Sequence, residues 1–253
     1  MLISIKITNM LKNIYPLIFL VLVIFSCDQL APKSTSETKE EDPYHKISFH
    51  SNGKLRTDVH LDSSGRYHGE AKKFYESGQL KSQTTYKHGV IQYAKQYHEN
   101  GNLEMEFPYK NGKKNGLRKK YWENGQLQSQ MTYVNGEPKA DLIEYDKSGE
   151  KVTTYPDLVI KQIDNIDKTG QYILQAYFSS NPQKGTYYLG ELKNGVLETY
   201  TPRMAKNGKI GEEIYRPAPG TFFMKKVNII GKFMTGYGNI RIVEKEVNLA
   251  FTN

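Results

Sequence analysis

Tyr97-His98-Glu99-Asn100-Gly101-Asn102-Leu103 decides the fold, because the same phrase recurs along the chain. It returns as Phe74-Tyr75-Glu76-Ser77-Gly78-Gln79-Leu80 and as Tyr121-Trp122-Glu123-Asn124-Gly125-Gln126-Leu127. Looser copies are Phe49-His50-Ser51-Asn52-Gly53-Lys54-Leu55 and Tyr145-Asp146-Lys147-Ser148-Gly149. Their glycines, at 53, 78, 101, 125 and 149, stand 25, 23, 24 and 24 residues apart. A second glycine follows each of the first four copies, at Gly65, Gly89, Gly112 and Gly136. A fixed period of this length marks a repeat architecture, in which each unit buries its apolar face only by stacking on its neighbours.

Each unit reads as two strands joined by a tight turn. Asn-Gly tolerates the positive φ angles of a type I′ turn, so such a turn is expected at Asn100-Gly101 and its equivalents. After the turn, apolar residues alternate with polar ones, as in Leu103, Met105, Phe107 and Tyr109. The parallel series are Leu80, Ser82, Thr84, Tyr86, then Leu127, Ser129, Met131, Tyr133, and first Leu55, Thr57, Val59, Leu61. Period two places each series on one strand face. The register stays open. A strict two-residue loop sets His98 opposite Leu103, whereas a longer loop exchanges the faces. The expected product is an up-and-down meander of about ten short strands, because fewer than three strands are marginal in water.

The aromatic-x-Glu-Asn-Gly-x-Leu phrase, with Tyr109-Lys110-Asn111-Gly112-Lys113-Lys114-Asn115-Gly116, resembles the MORN-like repeat in the variant found in the YwqK-like antitoxin family. The resemblance covers roughly 46–152. It departs from the pattern in alternate copies, where the glycine present at Gly69 and Gly116 is replaced by Tyr93 and Ala140. It implies a repeat β-sheet that binds a partner, since such repeats recur in scaffolds, membrane-associated proteins and antitoxins.

Residues 1–26 have the layout of a secretory signal peptide: Lys6 and Lys12 precede Ile14–Phe25, twelve residues without charge. That run is shorter than the roughly 20 residues of a membrane span, although a membrane anchor or a buried helix is the alternative. Val23-Ile24-Phe25-Ser26-Cys27 resembles a bacterial lipoprotein lipobox, and Cys27 is the single cysteine of the chain. The resemblance implies lipidation at Cys27, a membrane partner through that anchor, and residence in the cell envelope, with the outer membrane expected. Residues 27–43 read as a tether, because 28–43 carries two lysines against five acids and little apolar surface.

The formal net charge of +8 is interspersed rather than clustered. Residues 44–154 hold 18 basic and 13 acidic side chains, and 155–253 hold 13 and 9. Without a basic stripe, and with export expected, nucleic acid is not an expected partner. An acidic protein partner, anionic lipid or glycan fits such a surface. The 24-residue period stops at Thr154–Pro156. Beyond it lie β-rich runs at 158–163, 171–178, 186–192, 222–230 and 239–251, with turn chemistry between them, as at Asp167-Lys168-Thr169-Gly170 and Lys206-Asn207-Gly208. The expected fold class is therefore all-β: a repeat meander of hairpins over 44–154, followed by a β-sandwich over 155–253. An immunoglobulin-like arrangement rests on strand pattern alone, since no Cys…Trp…Cys core is present.

All six histidines (45, 50, 60, 68, 88, 98) fall in the first two and a half repeats. His50 and His98 share the repeat position of Tyr75 and Trp122, so they read as sheet-face residues, and no metal or cofactor is expected. Glu104 and Glu106 read as a solvated strand face, and no phosphate loop, dinucleotide fingerprint or nucleophile elbow is present. What recurs is tyrosine, which is enriched at protein interfaces and also packs across strands. Tyr75, Tyr97, Tyr121, Trp122 and Tyr145 are thus the candidate binding surface. The function read from the sequence is a non-enzymatic binding or scaffold module at the envelope. The alternatives are an antitoxin-like immunity protein with one tight partner, and an enzyme with a site between the two domains. Wild-type protein is expected to take up a radiolabelled lipid precursor and to fractionate with membranes, and Cys27→Ala to do neither; equal labelling of the two contradicts the lipidation.

Overall fold

Turn chemistry fixes the register of the repeat sheet. In the computed structural model, which describes residues 42–253, the phrase at Asn100-Gly101 is a three-residue loop. His98 N–H donates to Asn102 O (2.8 Å), and Gly101 N–H donates back to His98 O (2.9 Å). Only Gly101 takes a positive φ, +89°. The same pair of bonds closes the loops at His50, Tyr75, Trp122 and Asp146. Tyr97 therefore pairs with Leu103, the longer-loop outcome, and a bulge between Gln96 and Tyr97 absorbs the extra residue. The type I′ expectation is corrected for these loops. It is met instead at the second turns, where His88-Gly89, Asn111-Gly112 and Asn135-Gly136 have both residues at positive φ. Cys27, the signal segment and the tether up to residue 41 lie outside the described residues.

The strands are β1 (His45–Phe49), β2 (Leu55–Leu61), β3 (Tyr67–Phe74), β4 (Leu80–Lys87), β5 (Val90–Tyr97) and β6 (Leu103–Lys110). The short β7 (Lys113–Lys114), β8 (Gly116–Tyr121), β9 (Leu127–Val134), β10 (Glu137–Pro138) and β11 (Ile143–Glu144) complete an 11-stranded sheet. Consecutive strands pair antiparallel in sequence order, with β11 returning to the far edge of β9.

A ladder of side-chain donors ties each copy to the next. His50 Nε2 lies 3.0 Å from Phe74 O, and Tyr75 Oη donates to Tyr97 O at 2.8 Å. His98 Nε2 lies 3.1 Å from Tyr121 O, and Trp122 Nε1 donates to Tyr145 O at 3.2 Å. The four donors occupy one repeat position, and each reaches the first aromatic residue of the following phrase. A carbonyl only accepts, so both histidines must carry their proton on Nε2. Asn52, Asn100 and Asn124 add a second rail, each donating Nδ2 to a backbone carbonyl in the next loop.

The second half of the chain is a sandwich. Its strands are β12 (Leu158–Asn165), β13 (Gln171–Phe178), β14 (Gln183–Leu189), β15 (Ala205–Asn207), β16 (Ile210–Tyr215), β17 (Phe222–Met234) and β18 (Ile240–Thr252). One sheet runs β12-β13-β16-β15 and the other β14-β17-β18. With the seven strands lettered A to G this is ABED against CFG, the immunoglobulin constant-type order. Strict alternation in β13 (Tyr172, Leu174, Ala176 and Phe178 buried) feeds a core with Tyr187, Ile229, Phe233, Leu249 and Phe251. Gly211 and Gly231 sit where Tyr187 and Phe178 lie against the backbone; a Cβ at either would come within 2.7 Å of a ring. The turn expected at Asp167–Gly170 is a single helical turn, α1 (Ile166–Thr169), ended by Gly170 in the left-handed region. Among the described residues no helix is long and apolar enough to cross a membrane.

Burial is distributed unevenly along the repeat. No residue from 42 to 106 is buried; Phe107 is the first. Phe107, Met131, Tyr133 and Leu142 form a small core that Ile240 of β18 joins. The tip of the β17–β18 hairpin, Thr235–Asn239, lies over β8, β9 and β11 there. Glu144, 1 % exposed, accepts from Thr235 Oγ1 at 2.7 Å and from Asn239 Nδ2 at 2.6 Å. Asn239, also 1 % exposed, accepts on Oδ1 from Arg118 Nη2 at 2.7 Å. Trp122 meets Tyr237 edge to face, with centroids 5.1 Å apart. One asparagine thus bridges a buried carboxylate and a buried guanidinium. Breaking such a link leaves both charges without their intermediary, at a cost comparable to breaking a buried ion pair. Asn239→Ala is expected to destabilise the protein by about 3 kcal/mol in urea unfolding. Glu150→Ala, at an exposed loop, should stay within about 0.5 kcal/mol of wild type; equal effects of the two contradict the lock.

Candidate binding surface

Strand alternation and register sort the repeat sheet into two faces. Phe107, Arg118, Ser129, Met131, Tyr133 and Glu144 share one face, and all are buried against the sandwich. On the other face, cross-strand pairing sets up the row Asp58–Lys72–Gln83–Lys95–Glu106–Lys119–Gln130. None of these seven is buried. The bulges carry Leu80, Leu103 and Leu127 onto this second face, opposite Phe74, Tyr97 and Tyr121, and not onto the face of Met105 and Met131 as the alternation implied. Gln128 on it is buried, and the polar row itself is half-exposed.

Glu106 is the hub of that open face. Tyr93 Oη donates to its Oε2 at 2.5 Å, and Tyr121 Oη donates to its Oε1 at 2.9 Å. Lys119 Nζ stands 3.8 Å from Oε1. Tyr97 Oη reaches Gln83 Oε1 at 3.4 Å on the same face. Partial burial pushes the Glu106 carboxyl up, but the two tyrosine hydrogen bonds and the charges of Lys119 and Lys95 outweigh it, and the net shift is downward. Burial, followed by the Glu106 carboxylate, pushes Tyr121 up to about 12, and Tyr93 moves in the same direction. The two tyrosine hydroxyls are thereby held neutral and tied to the carboxylate.

The five aromatic candidates do not form one patch. Tyr97 and Tyr121 belong to the open face, where Tyr93 joins them. Tyr75 and Trp122 are ladder donors, and Trp122 is partly covered by Tyr237. Tyr145 contributes its backbone: its N–H donates to Gln128 O, and its carbonyl receives Trp122. The sequence hid Tyr93 and Glu106 because Tyr93 stands where other copies have glycine, and Glu106 looks like any solvated strand residue. The buried Glu144–Asn239–Arg118 link was hidden too. Its one trace was a carboxylate set between Ile143 and Tyr145 in a strand.

Two further features lie outside this face's centre. A cleft of about 440 Å³ opens where the repeat meets the sandwich, walled by Glu144, Tyr155, Pro182, Phe233, Thr235 and Tyr237. Among the described residues the buried Tyr155 hydroxyl has no hydrogen bond of good geometry, although the Glu144 carboxylate lies near it. Burial and the Glu144 carboxylate push it up to about 12, and the Arg241 guanidinium lies 3.7 Å from its ring centroid. At the opposite end of the sheet, His45, Asp58 and His60 converge, as do Asp62, His68 and His88.

Three segments of the chain, residues 67–88, 93–111 and 114–135, match the family described as MORN repeat variant. No curated protein matches the chain. The loops at His50 and Asp146 carry the same pair of backbone bonds as the matched copies, so the repeat geometry extends beyond the matched residues in both directions. Such repeats mark a binding or scaffold module.

The shifts set a pH window. Glu106, Glu70 and Asp146 have lowered pKa values, so the stability they contribute is present above the ordinary carboxylate range and is lost as pH falls through the folded-state values. Tyr93 and Tyr121 are raised, so their contribution is complete below about pH 10 and fades as pH climbs through their folded values. The melting temperature is expected to fall below about pH 4 and above about pH 10. In Glu106→Gln both arms should shrink, and tyrosinate absorbance should appear at lower pH than in wild type. An unchanged tyrosinate titration contradicts the hub.

Proposed function

We propose that this protein is a non-enzymatic binding module of the bacterial cell envelope, held to a membrane through lipidated Cys27, and that the open face of its repeat sheet is what it presents. The observation that carries this reading is the asymmetry of the sheet. Over β6, β8, β9 and β11 one face is closed by the protein's own sandwich, while the other stays free with ordered tyrosines around Glu106. Tyrosines whose hydroxyls are already tied lose little conformational entropy on binding, which favours contact with a partner. Lys72, Lys95 and Lys119 line the same face, so the partner it fits is a protein with an acidic patch, and anionic lipid or glycan comes next.

The identity of that partner separates a scaffold from an antitoxin-like immunity protein. A secreted toxin recovered in equal amount would make this an immunity protein, and a structural envelope component would make it a scaffold. A second reading, a ligand or enzyme site at the junction, is favoured by the cleft beside Glu144 with its buried Tyr155 hydroxyl. It places the functional loss at Tyr155→Phe rather than on the sheet.

Full-length wild-type protein, immobilised and exposed to envelope extract, is expected to retain one partner in equal amount through high salt. Lys95→Ala combined with Tyr97→Ala should reduce retention at least about tenfold, equivalent to about 1.4 kcal/mol, with the far-UV circular dichroism spectrum unchanged. Retention lost in Tyr155→Phe but kept in the sheet variant contradicts the reading.

A further inference from the structure

We propose that His45, Asp58 and His60 form a binding site for a divalent transition-metal ion of the zinc, copper or nickel class. Period two sets Asp58 and His60 on one face of β2, and the β1–β2 register places His45 directly opposite His60. The donors therefore stand on two hydrogen-bonded strands rather than on a loop. The His45 and His60 rings stack in parallel, 4.3 Å between centroids and 6° between planes. His45 Nε2 lies 2.7 Å from Asp58 Oδ1. One ligand atom from each of the three residues lies within 4.8 Å of the others. Zinc, bound at about 2.0–2.2 Å by imidazole nitrogen and carboxylate oxygen, draws such atoms to roughly 3.4 Å from one another. His45 and His60 are exposed, so their side chains can make that adjustment at small cost.

The chemistry of the donor set selects the ion. Two imidazoles with one carboxylate suit zinc, copper or nickel, whereas magnesium and calcium demand oxygen ligands. Three protein ligands leave a coordination position open to water or to a donor from a partner.

The neighbouring trio, Asp62, His68 and His88, is a poorer site. Asp62 Oδ2 already receives Arg66 Nη2 at 3.0 Å, and its Oδ1 receives the backbone N–H groups of Ser64 and Arg66. A dication there would face a guanidinium across the same carboxylate. Asp58 stands across the strands from Lys72, whose ammonium is held by Glu70 at 2.9 Å. His50 and His98 are excluded by their place in the ladder. His50 and His98, expected as sheet-face residues, lie just beyond their strands and serve as ladder donors, and the proposal departs from the expectation of no metal only at His45, Asp58 and His60.

The test is copper and zinc binding by untagged full-length protein, read by calorimetry and by electron paramagnetic resonance of the copper form. One ion per chain is expected, with two nitrogens in the copper spectrum, and affinity should collapse at about pH 5, where imidazole is protonated. His45→Gln with His60→Gln should abolish saturable binding. Asp58→Asn should weaken it by more than the roughly 100-fold that bounds the loss of an outer-shell partner. His68→Gln with His88→Gln should leave it intact. All these changes sit on exposed or half-exposed positions, and an unchanged melting curve shows the sheet is preserved. No saturable binding by wild type, or binding that survives His45→Gln with His60→Gln, overturns the proposal.

Discussion

A sheet of hairpins with water on both sides has no second layer to hold its copies in line. Residues 42–106 are in that position, for not one of them is buried. Backbone pairing alone leaves each hairpin free to twist against its neighbour. The ring donors at His50, Tyr75, His98 and Trp122 remove that freedom, because each clamps its loop to the carbonyl of the next. At about 1 kcal/mol net for each such bond, the ladder supplies a large share of what a buried core would otherwise give. It also explains the 24-residue period. The donor must reach one fixed carbonyl, so the spacing between loops cannot drift far.

The other end of the sheet solves the same problem in a different way. There the apolar series Phe107, Met131 and Tyr133 is covered by the sandwich, and the β17–β18 tip supplies the contact. That tip, Thr235-Gly236-Tyr237-Gly238-Asn239, closes with the same two backbone bonds as the repeat loops. Arg118, Asn239 and Glu144 make the contact specific, since a buried charge tolerates few arrangements of its partners. Ile240 touches both the repeat core and the smaller cluster of Leu197, Ile230 and Ile242, so apolar packing continues across the junction. Over these last strands one face is closed by the chain itself, which is why the proposed binding is assigned to the other.

Much of this was legible in the sequence for physical reasons. The recurrence of Asn-Gly phrases fixed hairpins, alternation fixed strands, and β13 emerges at Gln171–Phe178 as its buried-exposed pattern implied. The turn type was misread because Asn-Gly satisfies both a two-residue loop and a three-residue loop ending in glycine, and only the bulge beyond it distinguishes them. β16 went unseen because Ile210–Tyr215 carries two glutamates and a glycine, and that glycine is explained only by the Tyr187 ring above it. Long-range partners were the least legible. Glu106 gathers Tyr93 and Tyr121 from two neighbouring strands, and Asn239 meets Arg118 across 121 positions of chain. No local pattern encodes either meeting.

The central claim is that the polar face of the repeat, and not its opposite, meets the partner. A photo-crosslinking residue placed at Lys95 on the open face, and separately at Lys73 on the opposite face, tests it in intact cells. The account expects one dominant crosslinked species from position 95 and none from position 73. A dominant species from position 73, or equal yields from both, would contradict it.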